Sequence, residues 1–177
     1  MNVLIVDDQK SNRQILAWIL SDLGHDHDEA ENGREAVEKV RANVPDLILM
    51  DVVMPVMDGY EATREIKEML GSQYIPVIFL TGLTDEKTLI KCLENGGDDF
   101  LSKPVDEIIL HAKMKAHGRT RELNEQIRSK NSELEYLHNR LQQEHSMGEH
   151  VLTNAMKDSV LDSPCISHFI WLAYRIK

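Results

Sequence analysis

Carboxylates, a hydroxyl and an ammonium group lie at the ends of four short predicted strand segments of this 177-residue chain. Asp7 and Asp8 come after the first such segment, Asp51 after another, Thr81 ends a third, and Lys103 follows the last. Close carboxylates repel one another, and a hard divalent cation such as Mg²⁺ removes that repulsion through oxygen ligands. A carboxylate kept ionised in this way can attack phosphorus, while the ammonium and hydroxyl groups bind phosphoryl oxygens. The residue types therefore point to metal-dependent phosphate chemistry.

The secondary structure that carries these residues is predicted from the alternation of short apolar runs with longer amphipathic segments. Strands are expected near residues 3–6, 25–30, 46–51, 76–81 and 98–102. Five strands alternating with five helices predict right-handed crossovers and an α/β fold with a doubly wound parallel sheet. Such a sheet binds ligands beyond the carboxyl ends of its strands, which is where the residues above should meet.

Several residues predict where helices begin and end. Ser11 with Gln14 forms a capping-box pattern at the start of the first helix, and Gly24 is expected to end that helix. Asn32 and Thr84 are the predicted N-caps of the second and fourth helices.

The second predicted strand is unusually polar, which an edge strand tolerates. His25 and His27 would share one face of it, as in a metal site, but we interpret them as part of a solvated edge. Cys92 and Cys165 belong to no metal-ligand pattern, so we expect both to be reduced thiols, Cys92 within a helix.

Four motifs in order carry a family resemblance: Asp7-Asp8, the segment DVVMPVMDG at 51–59, Thr81-Gly82 and Lys103-Pro104. Together they resemble the signature of the receiver domains of two-component response regulators, over residues 1 to about 117. The resemblance implies a flavodoxin-like fold with strand order 2-1-3-4-5. It also implies that Asp51 accepts a phosphoryl group from a histidine kinase or a phosphotransfer protein. A receiver is a phosphoacceptor signalling domain, so we expect no enzyme activity from it.

The same resemblance assigns the metal ligands. Asp8, Asp51 and the backbone carbonyl of Val53 are expected to bind Mg²⁺, with Asp7 assisting through water. Lys103 is expected to pair with the phosphate, and its peptide bond to Pro104 is expected to be cis.

The resemblance also suggests how phosphorylation is sensed. Thr81 is expected to move towards the phosphate, for which the small Gly82 leaves room, while the ring of Phe100 turns inward. The alternative for Phe100 is an ordinary core side chain. Val53 and Leu83 lie at flanking positions that are often polar in the family. Because apolar side chains offer an attacking water no hydrogen bond, we expect them to alter the lifetime of the phosphoryl group.

Residues 118–146 are charged, rich in glutamine and glutamate, and predict a coiled-coil helix that continues the fifth helix of the receiver. The seam of this helix, which Lys130 interrupts, consists of Leu123, Ile127, Leu134, Leu137 and Leu141. We expect a homodimer through this seam; the alternative is an amphipathic helix that folds back on the domain. Residues 147–177 form a tail, of which 148–164 resemble the junction to a serine phosphatase domain of the sporulation type.

The net charge of −10 argues against a large nucleic-acid footprint, so direct DNA binding is not expected. The first residues lack the pattern of a signal peptide, and no segment approaches the ~20 apolar residues of a membrane span. We therefore expect a cytoplasmic protein. Two functions remain: a dimeric regulator that signals to an effector, which is a missing phosphatase domain or a partner protein, and a stand-alone adaptor that sequesters a target through its helical extension.

Overall fold

The computed structural model describes residues 1–82 and 86–161. The strands are β1 (Asn2–Val6), β2 (Asp26–Ala30), β3 (Leu47–Asp51), β4 (Val77–Thr81) and β5 (Asp99–Ser102). The helices are α1 (Lys10–Asp22), α2 (Gly33–Ala42), α3 (Gly59–Leu70), α4 (Glu86–Glu94) and α5 (Glu107–Leu161). All strands are parallel, in the order β2-β1-β3-β4-β5, which confirms the predicted flavodoxin-like fold.

The core lies on both faces of the sheet, which is why β1, β3 and β4 are almost entirely apolar. Alternate side chains enter different layers: Leu4 and Val6 pack in one cluster, Val3 and Ile5 in the other. Each fully buried aliphatic side chain contributes about 1.5–3 kcal/mol. The sheet that carries the strand-end residues is therefore a rigid platform.

Within residues 1–82 and 86–161, strand β2 pairs only with β1 and is an edge strand, as its polar sequence predicted. It begins at Asp26, so His25 precedes it. Asp28 accepts a hydrogen bond from Lys39 of α2. Within the described residues, the cluster of groups able to hold a metal ion contains no histidine.

The prediction that Ser11 opens the first helix is wrong. Helix α1 begins at Lys10, and its N-cap residue Gln9 makes no side-chain capping bond. Polar groups at this turn bind Asp7 instead, because the backbone N–H of Gln9 and the side chain of Asn12 both donate to its carboxylate.

The predicted helix boundaries at Gly24 and Asn32 are confirmed. Gly24, with a φ of 74°, follows the end of α1, and Asn32 caps α2 by accepting from the Glu35 N–H. Thr84 lies outside the described residues. Cys92 is a buried free thiol in α4.

The chain divides into two compact units, Met1–Gln126 and Ile127–Lys177. The first unit contains the predicted receiver, residues 1 to about 117, and the start of the helical segment that follows it. Arg121 of α5 bonds to the Asp46 carboxylate, which also accepts from the N–H of Asn2. These contacts attach α5 to the end of the sheet opposite the strand-end residues.

In the second unit, α5 continues to Leu161, past the predicted end of the coiled coil near 146. The five seam side chains, Leu123 in the first unit and the rest in the second, are 45–64% exposed. Lys130, which interrupts the seam, pairs with Glu133 at 2.8 Å. Of the helices in the described ranges, none is both long and apolar enough to cross a membrane.

Candidate functional site

Three carboxylates meet at the carboxyl edge of the sheet. One oxygen from each of Asp7, Asp8 and Asp51 lies within 4.8 Å of the others. Asp7 is fully buried and Asp51 is 7% exposed, whereas Asp8 is open to solvent. Asp7 and Asp8 directly follow β1, and Asp51 ends the neighbouring β3, so the parallel pairing of these strands creates the cluster.

Lys103 supplies the positive charge at this cluster. Its Nζ lies 2.7 Å from an Asp7 oxygen and 2.8 Å from Oδ2 of Asp51. The residue follows β5, and its backbone N–H donates to the carbonyl of Thr81 at 2.8 Å. The peptide bond from Lys103 to Pro104 is cis.

The three carboxylates differ in how they are bound. Asp7 accepts from the Gln9 N–H, from the Asn12 side chain and from Lys103. Asp51 accepts from Lys103 and from the Val53 N–H. Within residues 1–82 and 86–161, the Asp8 carboxylate has no hydrogen-bond donor. A solvent-open carboxylate beside two buried ones fits a hard divalent cation, which prefers oxygen ligands and retains waters.

The electrostatics of the site are unbalanced, because one ammonium faces three carboxylates. Burial raises the pKa of Asp51, and the charge of Asp7 raises it further, despite the opposing effect of Lys103. Burial lowers the pKa of Lys103, but its bonds to Asp51 and Asp7 outweigh burial, and the net pKa is raised. Lys103 therefore stays charged, whereas keeping Asp51 ionised in the folded chain costs free energy.

Close packing at Gly59 fixes the position of Asp51. A Cβ atom at Gly59 would lie 2.1 Å from the Asp51 carbonyl oxygen, so only glycine fits. The Gly59 N–H also donates to the carbonyl of Val52. Asp58 caps α3 by accepting from the Glu61 N–H at 2.8 Å, which starts the helix beside the site.

The loop between β3 and α3 exposes apolar side chains next to the cluster. Val53 is 72% exposed, and Val56, with a φ of 69°, is also exposed. Leu83, the other predicted flanking residue, lies outside the described residues.

The predicted sensing residues occupy neighbouring strands. Thr81 is buried at the end of β4, and none of the described residues has an atom within 4 Å of the place that a Cβ at Gly82 would occupy. Phe100 lies on β5, opposite Phe79 of β4, and packs partly buried against the core. The Nζ of Lys113, on α5, lies 5.5 Å from the centre of the Phe100 ring. Phe100 is thus near α5 and is not part of the acidic cluster.

Asn12 and Arg13 also contact the site, but neither was predicted from the sequence to be a site residue. Asn12 binds the Asp7 carboxylate, and Arg13 donates to the backbone carbonyls of Asp7 and Asp8. The available signal was helical spacing: Arg13 lies three residues before Leu16 and seven before Leu20, on the buried side of α1.

Residues 3–115 match the family described as the response regulator receiver domain, and the chain belongs to this family. Receiver domains bind Mg²⁺ at an acidic pocket, and Asp7, Asp8 and Asp51 form such a pocket here.

Among similar proteins, response regulator PleD of Caulobacter vibrioides is 33% identical over 128 residues, which are 72% of this chain and 28% of PleD. Chemotaxis protein CheY of Halobacterium salinarum is 44% identical, over 58% of this chain and 83% of CheY. The structure of a two-component response regulator from Clostridium difficile superposes with a TM-score of 0.63 at 33% identity, covering 67% of this chain and 96% of that one. The chain therefore spans little more than a quarter of the length of PleD.

Proposed function

We propose that Asp51 accepts a phosphoryl group from a phosphohistidine of a histidine kinase or phosphotransfer protein. The observation that supports this most is the placement of Lys103, whose Nζ bridges Asp7 and Asp51 at 2.7 and 2.8 Å. An oxygen of Asp51 attacks the phosphorus, the P–N bond breaks, and the imidazole nitrogen leaves with the bonding electrons. The product is an acyl phosphate on Asp51.

The residues around Asp51 have separate tasks in this transfer. Lys103 neutralises charge on the phosphoryl oxygens. Asp8, Asp51 and the Val53 carbonyl would hold Mg²⁺, with Asp7 assisting through water, and the bound ion would supply further positive charge to the phosphoryl group. Thr81 donates its hydroxyl to the phosphate.

The test is incubation of the full chain with acetyl phosphate and Mg²⁺, followed by intact-mass measurement. We expect the wild type to gain one phosphoryl mass and D51N to gain none. D58N is the matched control, because it neutralises a nearby carboxylate while asparagine caps a helix as well as aspartate does. It should be phosphorylated like the wild type. An equal mass gain in D51N, or no gain in the wild type, would refute the proposal.

We further propose that the output passes through α5. Asp99 of β5 accepts from Lys113 at 2.6 Å and contacts His117 at 3.1 Å, both on α5. Because Lys113 also lies over the Phe100 ring, a movement of that ring would change the contacts between the ring and α5. The same helix carries the exposed apolar seam, which supports a dimeric coiled coil. The effector is a partner protein or a missing serine phosphatase domain of the sporulation type, whose entering junction residues 148–164 resemble.

The dimer is tested by light scattering of L137D and Y136D. The two residues are adjacent and both exposed, but only Leu137 belongs to the seam. Both variants add one aspartate to the same helix turn, so any difference between them comes from the seam position. Because only L137D places a charge in the seam, it alone should shift the chain from dimer to monomer. If the wild type is a monomer both with and without phosphorylation, the proposed dimer is wrong. That result would favour an adaptor that binds a target through its helix.

A further inference from the structure

Arg13 is a buried arginine whose guanidinium contacts two groups of oxygen atoms. It is 4% exposed. Its Nη1 donates to the carbonyl oxygens of Asp7 at 2.9 Å and Asp8 at 3.4 Å. Its Nε donates to Glu29 at 2.9 Å and its Nη2 to Glu31 at 2.6 Å. One side chain thus connects α1 to the β1–α1 connection and to the end of β2.

Packing alone does not explain this residue. Arg13 lies on the same face of α1 as the buried Leu16 and Leu20, where an aliphatic side chain would fill the space without removing a charge from water. A buried charge is tolerated only when its hydrogen bonds are satisfied. The rigid fork of arginine can serve several oxygens at once, which a lysine cannot do.

The contacts of Arg13 matter most for Asp8. The Asp8 carboxylate is exposed, and within the described parts of the chain it has no donor of its own to orient it. Asp7, in contrast, is fixed by Gln9, Asn12 and Lys103. The position of Asp8 therefore depends on its backbone, whose carbonyl is bound by Arg13.

We propose that Arg13 is a positioning residue for the divalent cation site: through the carbonyls of Asp7 and Asp8 it holds the β1–α1 connection so that the Asp8 carboxylate faces Asp51. Glu29 and Glu31 fix the other edge of the guanidinium and prevent it from rotating away. This inference rests on the proposed binding of Mg²⁺ at the three carboxylates.

The sign of one measurement separates positioning from plain electrostatics. Arg13 is a cation close to a site for another cation, so removing its charge alone should tighten Mg²⁺ binding. Loss of positioning should weaken it, since partners that orient metal ligands are typically worth about 10–100-fold in affinity. The two explanations therefore predict opposite changes in the Mg²⁺ dissociation constant.

The experiment is calorimetric titration of the unphosphorylated full chain with MgCl₂, for the wild type, R13M, R13K and R34M. We expect the dissociation constant to rise about tenfold or more in R13M. R13K keeps the charge and loses the fork, so a smaller rise is expected. R34M is the control: it removes one positive charge from a half-exposed pair with Glu65 and should leave binding unchanged or slightly tighter.

Thermal unfolding and circular dichroism of each variant establish that it is folded. A lower Tm with an unchanged or smaller dissociation constant in R13M would show that Arg13 is only structural and overturn the inference. If R13M does not fold, R13K decides, because wild-type affinity in that variant also overturns it. A wild type that does not bind Mg²⁺ would instead refute the proposed metal site itself.

Discussion

Replacing Asp51 with asparagine is expected to stabilise the receiver unit in the absence of divalent cations. Asp51 is almost fully buried, lies within 4.8 Å of two other carboxylates, and has Lys103 as its ion-pair partner at 2.8 Å. Asparagine keeps the size of the side chain and can still accept a hydrogen bond from Lys103. The substitution therefore isolates the effect of the charge.

The magnitude follows from the distances. At an effective dielectric constant of about 20, two carboxylates no more than 4.8 Å apart repel by at least about 3.5 kcal/mol, and the Lys103 contact at 2.8 Å gains about 6 kcal/mol. Because Asp8 is exposed, its share is reduced by solvent, and attraction and repulsion nearly cancel. The cost of burial then sets the difference in stability, because burying an ion costs several kcal/mol and burying an amide costs less. We expect D51N to be more stable by about 1–3 kcal/mol.

The pH dependence has a defined sign. The pKa of Asp51 is raised in the folded state by burial, so the folded chain binds this proton more readily than the unfolded chain. The advantage of D51N should be complete above the folded pKa of Asp51. It should shrink as the pH falls through that value towards the unfolded value of about 3.9.

Urea unfolding followed by circular dichroism, at several pH values in EDTA, measures the difference between the two chains. Adding Mg²⁺ should reduce or reverse it, because a ligand bound to the folded state stabilises the wild type more than the variant. A D51N chain that is less stable than the wild type at neutral pH, or an advantage that grows on acidification, would show that the buried Asp51 charge does not destabilise the fold.

Three further changes have defined outcomes. G59A should destabilise the chain by about 3 kcal/mol in urea unfolding, since its Cβ would overlap the Asp51 carbonyl, whereas G82A, with open space, should cost less than about 0.5 kcal/mol. V53N should shorten the lifetime of the phosphorylated chain in a time course of intact mass, because its amide can bind the attacking water; an unchanged lifetime would contradict this. N32A should cost about 1 kcal/mol by loss of the α2 cap, and N32D should restore most of it.

The sheet and its site were predictable because burial on both faces makes β1, β3 and β4 apolar, and the chemistry lies where those runs stop. The start of α1 was not predictable. Ser11 matches a capping pattern, but Gln9 and Asn12 at this turn bind the Asp7 carboxylate instead. Local pattern also could not show the contact of Arg121 with Asp46, because the two residues are 75 positions apart in sequence.

The contacts of the three carboxylates give a physical reason for their different expected roles. Asp7 is buried, and its donors already occupy its carboxylate, so direct ligation of a metal would require it to give up bonds that cost free energy to break. A water between Asp7 and the ion preserves those bonds. Asp8 would lose only hydration on binding a cation, so in the proposed metal site it is the carboxylate suited to direct ligation. Asp51 is almost fully buried and has few donors, so under the proposed function one of its oxygens is left to attack phosphorus once a bound cation favours the ionised form. Burial and hydrogen bonding, rather than residue type, thus distinguish three chemically identical side chains.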